Sequence, residues 1–203
     1  MFFRRFKYYL AIDLFMNEEI EITVFLKNPE EVKKILGKIA KFKKEKNQKD
    51  DYFVPKTRDF FQEKPTKEYL RIRCQEGKSE IAYHFCHFQK NGNLLKSDEY
   101  ETEIKDPKTM VEILEKLGFV KKVTVTKHRE YYLYKNFEIC VDQVKELGCF
   151  LEVEAINSTE SPEKTLKQCF KVLDEIGAKW EKTSEGGYPD KILRKMGGEG
   201  GRI

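Results

Sequence analysis

The sequence predicts an α+β protein in which about eight antiparallel strands curl into a closed β-barrel with helices packed outside. Three observations carry this. Like charges recur at i and i+2 in five strand-like segments, three segments of helical apolar spacing each begin at a proline, and turn signals punctuate the remainder. Alternate side chains of a strand leave the same face about 7 Å apart. Each doublet therefore presents two equal charges in one direction.

Taken in order, Glu19-Ile20-Glu21-Ile22 opens the apolar run EIEITVFL, a strand with one oily and one acidic face. Pro29 to Ile39 reads as a helix, with proline and acidic residues at its start. Residues 39–53 form a long strand, whose lysines between Lys41 and Lys49 read as a solvated strand or loop with no catalytic part. Leu70-Arg71-Ile72-Arg73 is a basic strand, followed by a turn at Gly77-Lys78 and a strand containing Ala82-Tyr83-His84-Phe85. After the Asn91-Gly92-Asn93 turn, Glu99-Tyr100-Glu101-Thr102-Glu103 places three carboxylates on one face. Residues 107–117 form a second helix stopped by Gly118, and 119–134 a long strand holding the basic doublet of Lys127 and Arg129. The run FLEVEA supplies Glu152 and Glu154, and residues 162–176 a third helix stopped by Gly177. Strand, proline-started helix, glycine and long strand thus occur twice, a weak internal duplication. Beyond Gly186 the composition is glycine-rich, so residues 191–203 are expected to be a flexible tail. Residues 16–190 form one domain, and residues 1–15 read as a non-essential extension ahead of Met16.

Charged residues are 36% of the chain, yet the net charge is only +4, so charge acts locally and nucleic-acid binding is not expected. Five cysteines without a C-x-x-C pair read as reduced core residues of a cytoplasmic protein. His84, His87 and His128 lack helical metal-ligand spacing, and His84 and His87 read as strand residues. No stretch approaches the ~20 apolar residues that span a membrane. If the charge doublets face inward, the interior is wet, because unpaired buried charges cost several kcal/mol each. Paired carboxylates suit a hard divalent cation, and arginine and lysine doublets beside them suit phosphate.

These residues resemble the CYTH superfamily, the triphosphate tunnel metalloenzymes, over nearly the whole chain, and most closely its class IV adenylyl cyclase-like branch. The family's E-x-E-x-K is similar to Glu19-Ile20-Glu21-Ile22-Thr23, its D-x-Y-F to Asp50-Asp51-Tyr52-Phe53 and its L-R-I-R to Leu70 through Arg73. Its E-Y-E is similar to Glu99-Tyr100-Glu101 and its K-x-R to Lys127-His128-Arg129. The block from Val141 to Glu154 resembles D-x-V-x-x-L-G-x-F-x-E-x-E.

The resemblance implies Mg²⁺ or Mn²⁺ held by Glu19, Glu21, Asp142, Glu152 and Glu154. It implies a nucleoside or other organic triphosphate bound by Arg71, Arg73, His84, Glu99, Lys127 and Arg129, with Lys127, Arg129 and Asp142 catalytic. A homodimer is compatible with it. The activity implied is ATP to cyclic AMP and pyrophosphate, with triphosphate hydrolysis or non-catalytic polyphosphate binding as alternatives. Thr23 and His84 stand where the family carries lysines, and the arginine before E-Y-E is missing, leaving Lys90 or Lys96 to compensate.

Overall fold

Which way the charge doublets face is decided by what their alternate neighbours bury. In the computed structural model, which describes residues 17–90, 92–182 and 186–197, strand β2 (Glu21–Leu26) buries Ile22, Val24 and Leu26 on one face. Helices α1 (Pro29–Ile39) and α3 (Pro162–Glu175) cover that face. Val32 and Leu36 of α1, and Leu166, Cys169, Val172 and Leu173 of α3, share one core with the β2 residues and with Ile139, Leu151 and Val153. Period-two alternation then turns Glu21 and Thr23 to the opposite face, into the hollow of the sheet.

The remaining strands are β1 (Asn17–Glu19), β3 (Lys41–Pro55), β4 (Glu68–Gln75), β5 (Lys78–Phe88), β6 (Leu94–Glu103), β7 (Phe119–Tyr134), β8 (Phe137–Val144), β9 (Gly148–Ala155) and β10 (Trp180–Lys182). They form one curled antiparallel sheet of ten strands in the order β1-β6-β5-β4-β3-β7-β8-β9-β2-β10. The duplicated long strands β3 and β7 lie side by side at its centre, from Lys41 opposite Leu133 to Pro55 opposite Phe119. Helix α2 (Pro107–Lys116), capped by the Asp106 carboxylate accepting from the Lys108 and Thr109 amides, packs Leu114 against Phe53 and Ile72. Gly118 and Gly177 take φ of 85° and 65° just beyond α2 and α3, a conformation that favours glycine.

Two expectations change. The expected eight strands are ten, and the order is not a continuous ring. The opening strand is split at Ile20: β1 pairs with β6, whereas β2 pairs with β9 and β10. One extended segment thus lies between the two sides of the sheet, and it is the covalent chain through Ile20 that joins them.

The second change is the tail. Instead of fraying, it forms α4 (Tyr188–Met196), with Tyr188, Asp190, Lys191 and Ile192 buried. The Asp190 carboxylate, 1% exposed, accepts from Lys64 Nζ at 2.9 Å, Thr66 Oγ1 at 2.6 Å, Tyr69 Oη at 2.7 Å and the Gly187 amide at 3.1 Å. Tyr188 and Ile192 pack with Phe150, Val125 and Phe61. Residues 1–15 and 198–203 lie outside the described residues. Among the described residues, no helix is long and apolar enough to cross a membrane.

Burial lowers the Lys191 ammonium to about 8, against a lysine reference of about 10.4 in an unfolded chain. Between those values the unfolded chain binds the extra proton, so stability rises with pH across that window. Denaturant unfolding between pH 7.5 and 10 is expected to show this contribution in the wild type and to lose it in Lys191→Met.

Candidate active site

A cavity of about 1010 Å³ occupies the hollow of the sheet. One wall is acidic. Across the β2–β9 pair Glu21 lies directly opposite Glu154, two like charges face to face, and Thr23 lies opposite Glu152. Glu19 enters from β1 and Glu99 from β6, and all five glutamates line the cavity. Burial, followed by repulsion from Glu99, Glu154, Glu152 and Glu101, pushes Glu19 up to about 9. Burial and then Glu152, Glu19, Glu99 and Glu154 raise Glu21 well above the carboxylate range. Burial and then Glu152 raise Glu154 to about 7. A wall of hard oxygen donors, crowded enough to hold protons for lack of a counter-charge, fits a divalent cation in donor type and in charge.

The facing wall is basic. It is built on two cross-strand forks placed by register. Asp50 pairs with Arg73 between β3 and β4, and Arg129 with Asp142 between β7 and β8. Arg73 donates through Nε and Nη2 to the two Asp50 oxygens, each at 2.7 Å. Arg129 does the same to Asp142, each at 2.6 Å, and also donates to Glu152 at 2.8 and 2.7 Å. Arg71 donates to Glu101 at 2.7 Å. Lys127 is 3.3 Å from Asp142 and 5.1 Å from the Tyr188 ring centre, and burial, then Arg129, lowers its affinity for a proton.

The structure therefore brings Glu19, Glu21, Glu99, Glu152, Glu154, Arg71, Arg73, His84, Lys127 and Arg129 into the lining of one cavity. Asp142 stands apart from this lining. It is fully buried behind Arg129, with its oxygens taken by Arg129, Lys127 and Tyr188 Oη at 2.9 Å, a position that suits holding the cations rather than ligating a metal. His84 is turned to carboxylates, with Nδ1 at 2.8 Å from Glu99 and Nε2 at 3.7 Å from Glu101. Lys90 and Lys96 do not line the cavity; the Lys96 ammonium lies 3.7 Å from Asp98.

Sequence reasoning missed four contributors. Lys44 and Lys46 line the cavity, although the lysine run, read as a solvated strand or loop, was given no part in the site. Their spacing held the signal: Lys44, Lys46, Gln48 and Asp50 share one period-two phase of β3. Asp50 entered the resemblance only as a motif position. Tyr188 could not be placed without α4.

A model of the CYTH domain family matches residues 17–188. The chain belongs to the CYTH domain family. Among curated proteins, this CYTH domain is 34% identical over 179 residues to the Methanocaldococcus jannaschii protein named "Putative adenylate cyclase MJ0240", covering 87% of this chain and 94% of that one. Among solved structures, a Pyrococcus horikoshii protein is 31% identical with a TM-score of 0.67, covering 82% of this chain and 96% of the other. A Hippeastrum protein named "Putative adenylyl cyclase HpAC1" and described as having a dominant triphosphatase activity superposes with a TM-score of 0.61 at 21% identity, covering 89% of this chain and 96% of that one. That last likeness shows the shared fold.

The crowding on the acidic wall makes a stability prediction. With chelator present at pH 8, Glu154→Gln is expected to stabilise this CYTH domain by on the order of 1 kcal/mol, because it removes a repelled charge. With excess Mn²⁺ the order is expected to reverse, which paired denaturation curves would read.

Proposed function

We propose that this protein is a cytoplasmic, metal-dependent enzyme acting on a nucleoside or other organic triphosphate, and that its leading activity is conversion of ATP to cyclic AMP and pyrophosphate. The observation that carries this reading is the meeting of the acidic wall of Glu19, Glu21, Glu152 and Glu154 with the basic wall of Arg71, Arg73, Lys127 and Arg129 in one cavity. An anion alone would be repelled by the first wall, and a cation alone by the second. A metal-bound polyphosphate satisfies both. The name of the Methanocaldococcus relative supports the cyclase reading.

Glu19, Glu21, Glu152 and Glu154 would hold Mg²⁺ or Mn²⁺, with Glu99 beside them. The ion would polarise phosphate oxygens as a Lewis acid. Arg71, Arg73, Lys127 and Arg129 would grip the phosphate oxygens and stabilise the charge that collects on the leaving group. Asp50 and Asp142 hold two of those guanidinium planes from behind, so the donors meet the phosphates already oriented. Closure of the sheet around the ligand through the segment joining β1 to β2 would keep bulk water from the phosphates. In the cyclase, the ribose 3′-oxygen bonds to the α-phosphorus and the bond to pyrophosphate breaks.

The second reading is triphosphate hydrolysis, in which water attacks the terminal phosphorus. The activity described for the Hippeastrum neighbour favours it. Incubation with Mn²⁺ and ATP, thiamine triphosphate or inorganic triphosphate separates the two. Cyclic AMP with pyrophosphate is expected from ATP; ADP with orthophosphate would replace the cyclase reading by the triphosphatase, and the absence of turnover on all three would reject an enzyme of this class.

Two variants test the assignment of the walls. Asp142→Asn is expected to weaken triphosphate binding about tenfold while leaving the affinity for Mn²⁺ alone unchanged, since Asp142 orients Arg129. An equal loss of Mn²⁺ affinity would make it a ligand instead. Thr23→Lys adds a cation opposite Glu152. Calorimetry at low salt is expected to show tighter inorganic triphosphate binding, with a gain that shrinks as salt is raised.

A further inference from the structure

His84 stands on β5 directly across from Glu99 of β6, inside the cavity. Its ring is held in a particular way. Nδ1 lies 2.8 Å from Glu99 Oε1. A carboxylate only accepts, so Nδ1 is the nitrogen that carries the hydrogen. Nε2 is buried and without a hydrogen-bond partner, and 3.7 Å away it faces Glu101 Oε1. Nδ1 bound to a carboxylate, with Nε2 left open, is the arrangement in which a ligating histidine is oriented by a carboxylate behind it.

The spacing suits an ion. Bonds of about 2.1 Å from imidazole nitrogen and carboxylate oxygen to a transition metal, opened to roughly 125°, separate the two donor atoms by about the distance seen here. One donor atom each from His84, Glu99 and Glu101 falls within 4.8 Å of the others. Glu101, whose side chain is 40% exposed, gives a route in from solvent.

We propose that His84 Nε2 and Glu101 form a second divalent-cation site in the cavity, with Glu99 orienting the imidazole, and that it takes a transition-metal ion in preference to Mg²⁺. An imidazole donor favours Zn²⁺, Co²⁺ or Ni²⁺, whereas Mg²⁺ prefers oxygen and water. The ion also competes for the oxygen that Arg71 now holds at 2.7 Å. Loading the site therefore turns Arg71 away from Glu101 and makes its guanidinium available to an anion in the cavity. This inference shares the cavity of the proposed function but needs no triphosphate.

The chain has three histidines, so their ring nitrogens are separable by long-range ¹H–¹⁵N correlation on the full-length protein. Zinc alone, without nucleotide, is expected to shift His84 Nε2 at substoichiometric to stoichiometric amounts, while Mg²⁺ at the same concentration leaves it in place. Glu101→Gln and His84→Gln are each expected to weaken zinc binding 10- to 100-fold. Should His84→Gln fail to fold, His84→Lys serves in its place. An unmoved His84, a shift shared equally with His87 and His128, or a shift that survives intact in Glu101→Gln would overturn the proposal. Because zinc alone is the probe, any of those results leaves the triphosphate reading standing. A cavity that takes zinc at His84 yet binds no inorganic triphosphate would overturn that reading and not this one.

Discussion

The interior of the sheet depends on two forks, Asp50 on Arg73 and Asp142 on Arg129, each joining residues directly opposed on neighbouring strands. Burying a guanidinium is expensive, and an unpaired one would be excluded from so enclosed a site. Each aspartate meets that cost with two short, parallel hydrogen bonds and is itself 1% exposed or less. The registers fix the geometry before any ligand arrives. Asp50 is held below the carboxylate range, at about 2, by Arg73 and Arg71 against the opposing effect of its burial. Asp142 is likewise lowered by Arg129 and Lys127 despite burial.

This solution creates the opposite problem on the other wall. Because Arg73 and Arg129 are largely neutralised from behind, they lend little net charge to the glutamates they face. Arg129 reaches across, donating to both Asp142 and Glu152. Glu19, Glu21 and Glu154 keep the repulsion and desolvation that raise them. The fixed groups of the cavity thus leave a demand for mobile positive charge. On the proposed reading, a cation must enter before or together with a polyphosphate, since an anion arriving alone would meet forks already satisfied and carboxylates still crowded.

Much of this was legible in the sequence because it is local. Period-two alternation in EIEITVFL, LRIR and FLEVEA told which side chains share a face, and the proline-started helices told which face would be covered. What escaped depends on partners distant in sequence. Nothing near Ile20 says that residues 17–19 pair with β6 while 21–26 pair with β9. Nor does the glycine-rich stretch after Lys182 reveal α4. That helix is held by an Asp190 carboxylate whose partners Lys64, Thr66 and Tyr69 are over a hundred residues away. Lys44 and Lys46 were obscured differently. A run of lysines reads as solvated by composition, and only the phase set by Gln48 and Asp50 separates the lysines facing inward from those facing out.

The two positions where this chain lacks the family's lysines gain a physical meaning. Thr23 lies opposite Glu152 and His84 opposite Glu99, so each sits where a lysine would have placed a fixed cation directly across from a lumenal glutamate. A hydroxyl supplies no charge, and the imidazole meets Glu99 through Nδ1 while Nε2 is left without a hydrogen-bond partner. Two permanent lysine charges of the family pattern are thereby missing, one on β2 in the acidic wall and one on β5 beside β6. The consequence runs in one direction. With less fixed positive charge, the balance of the cavity rests more heavily on bound cations, and its affinity for a polyphosphate becomes more dependent on which ion, and how many, the glutamates and His84 hold.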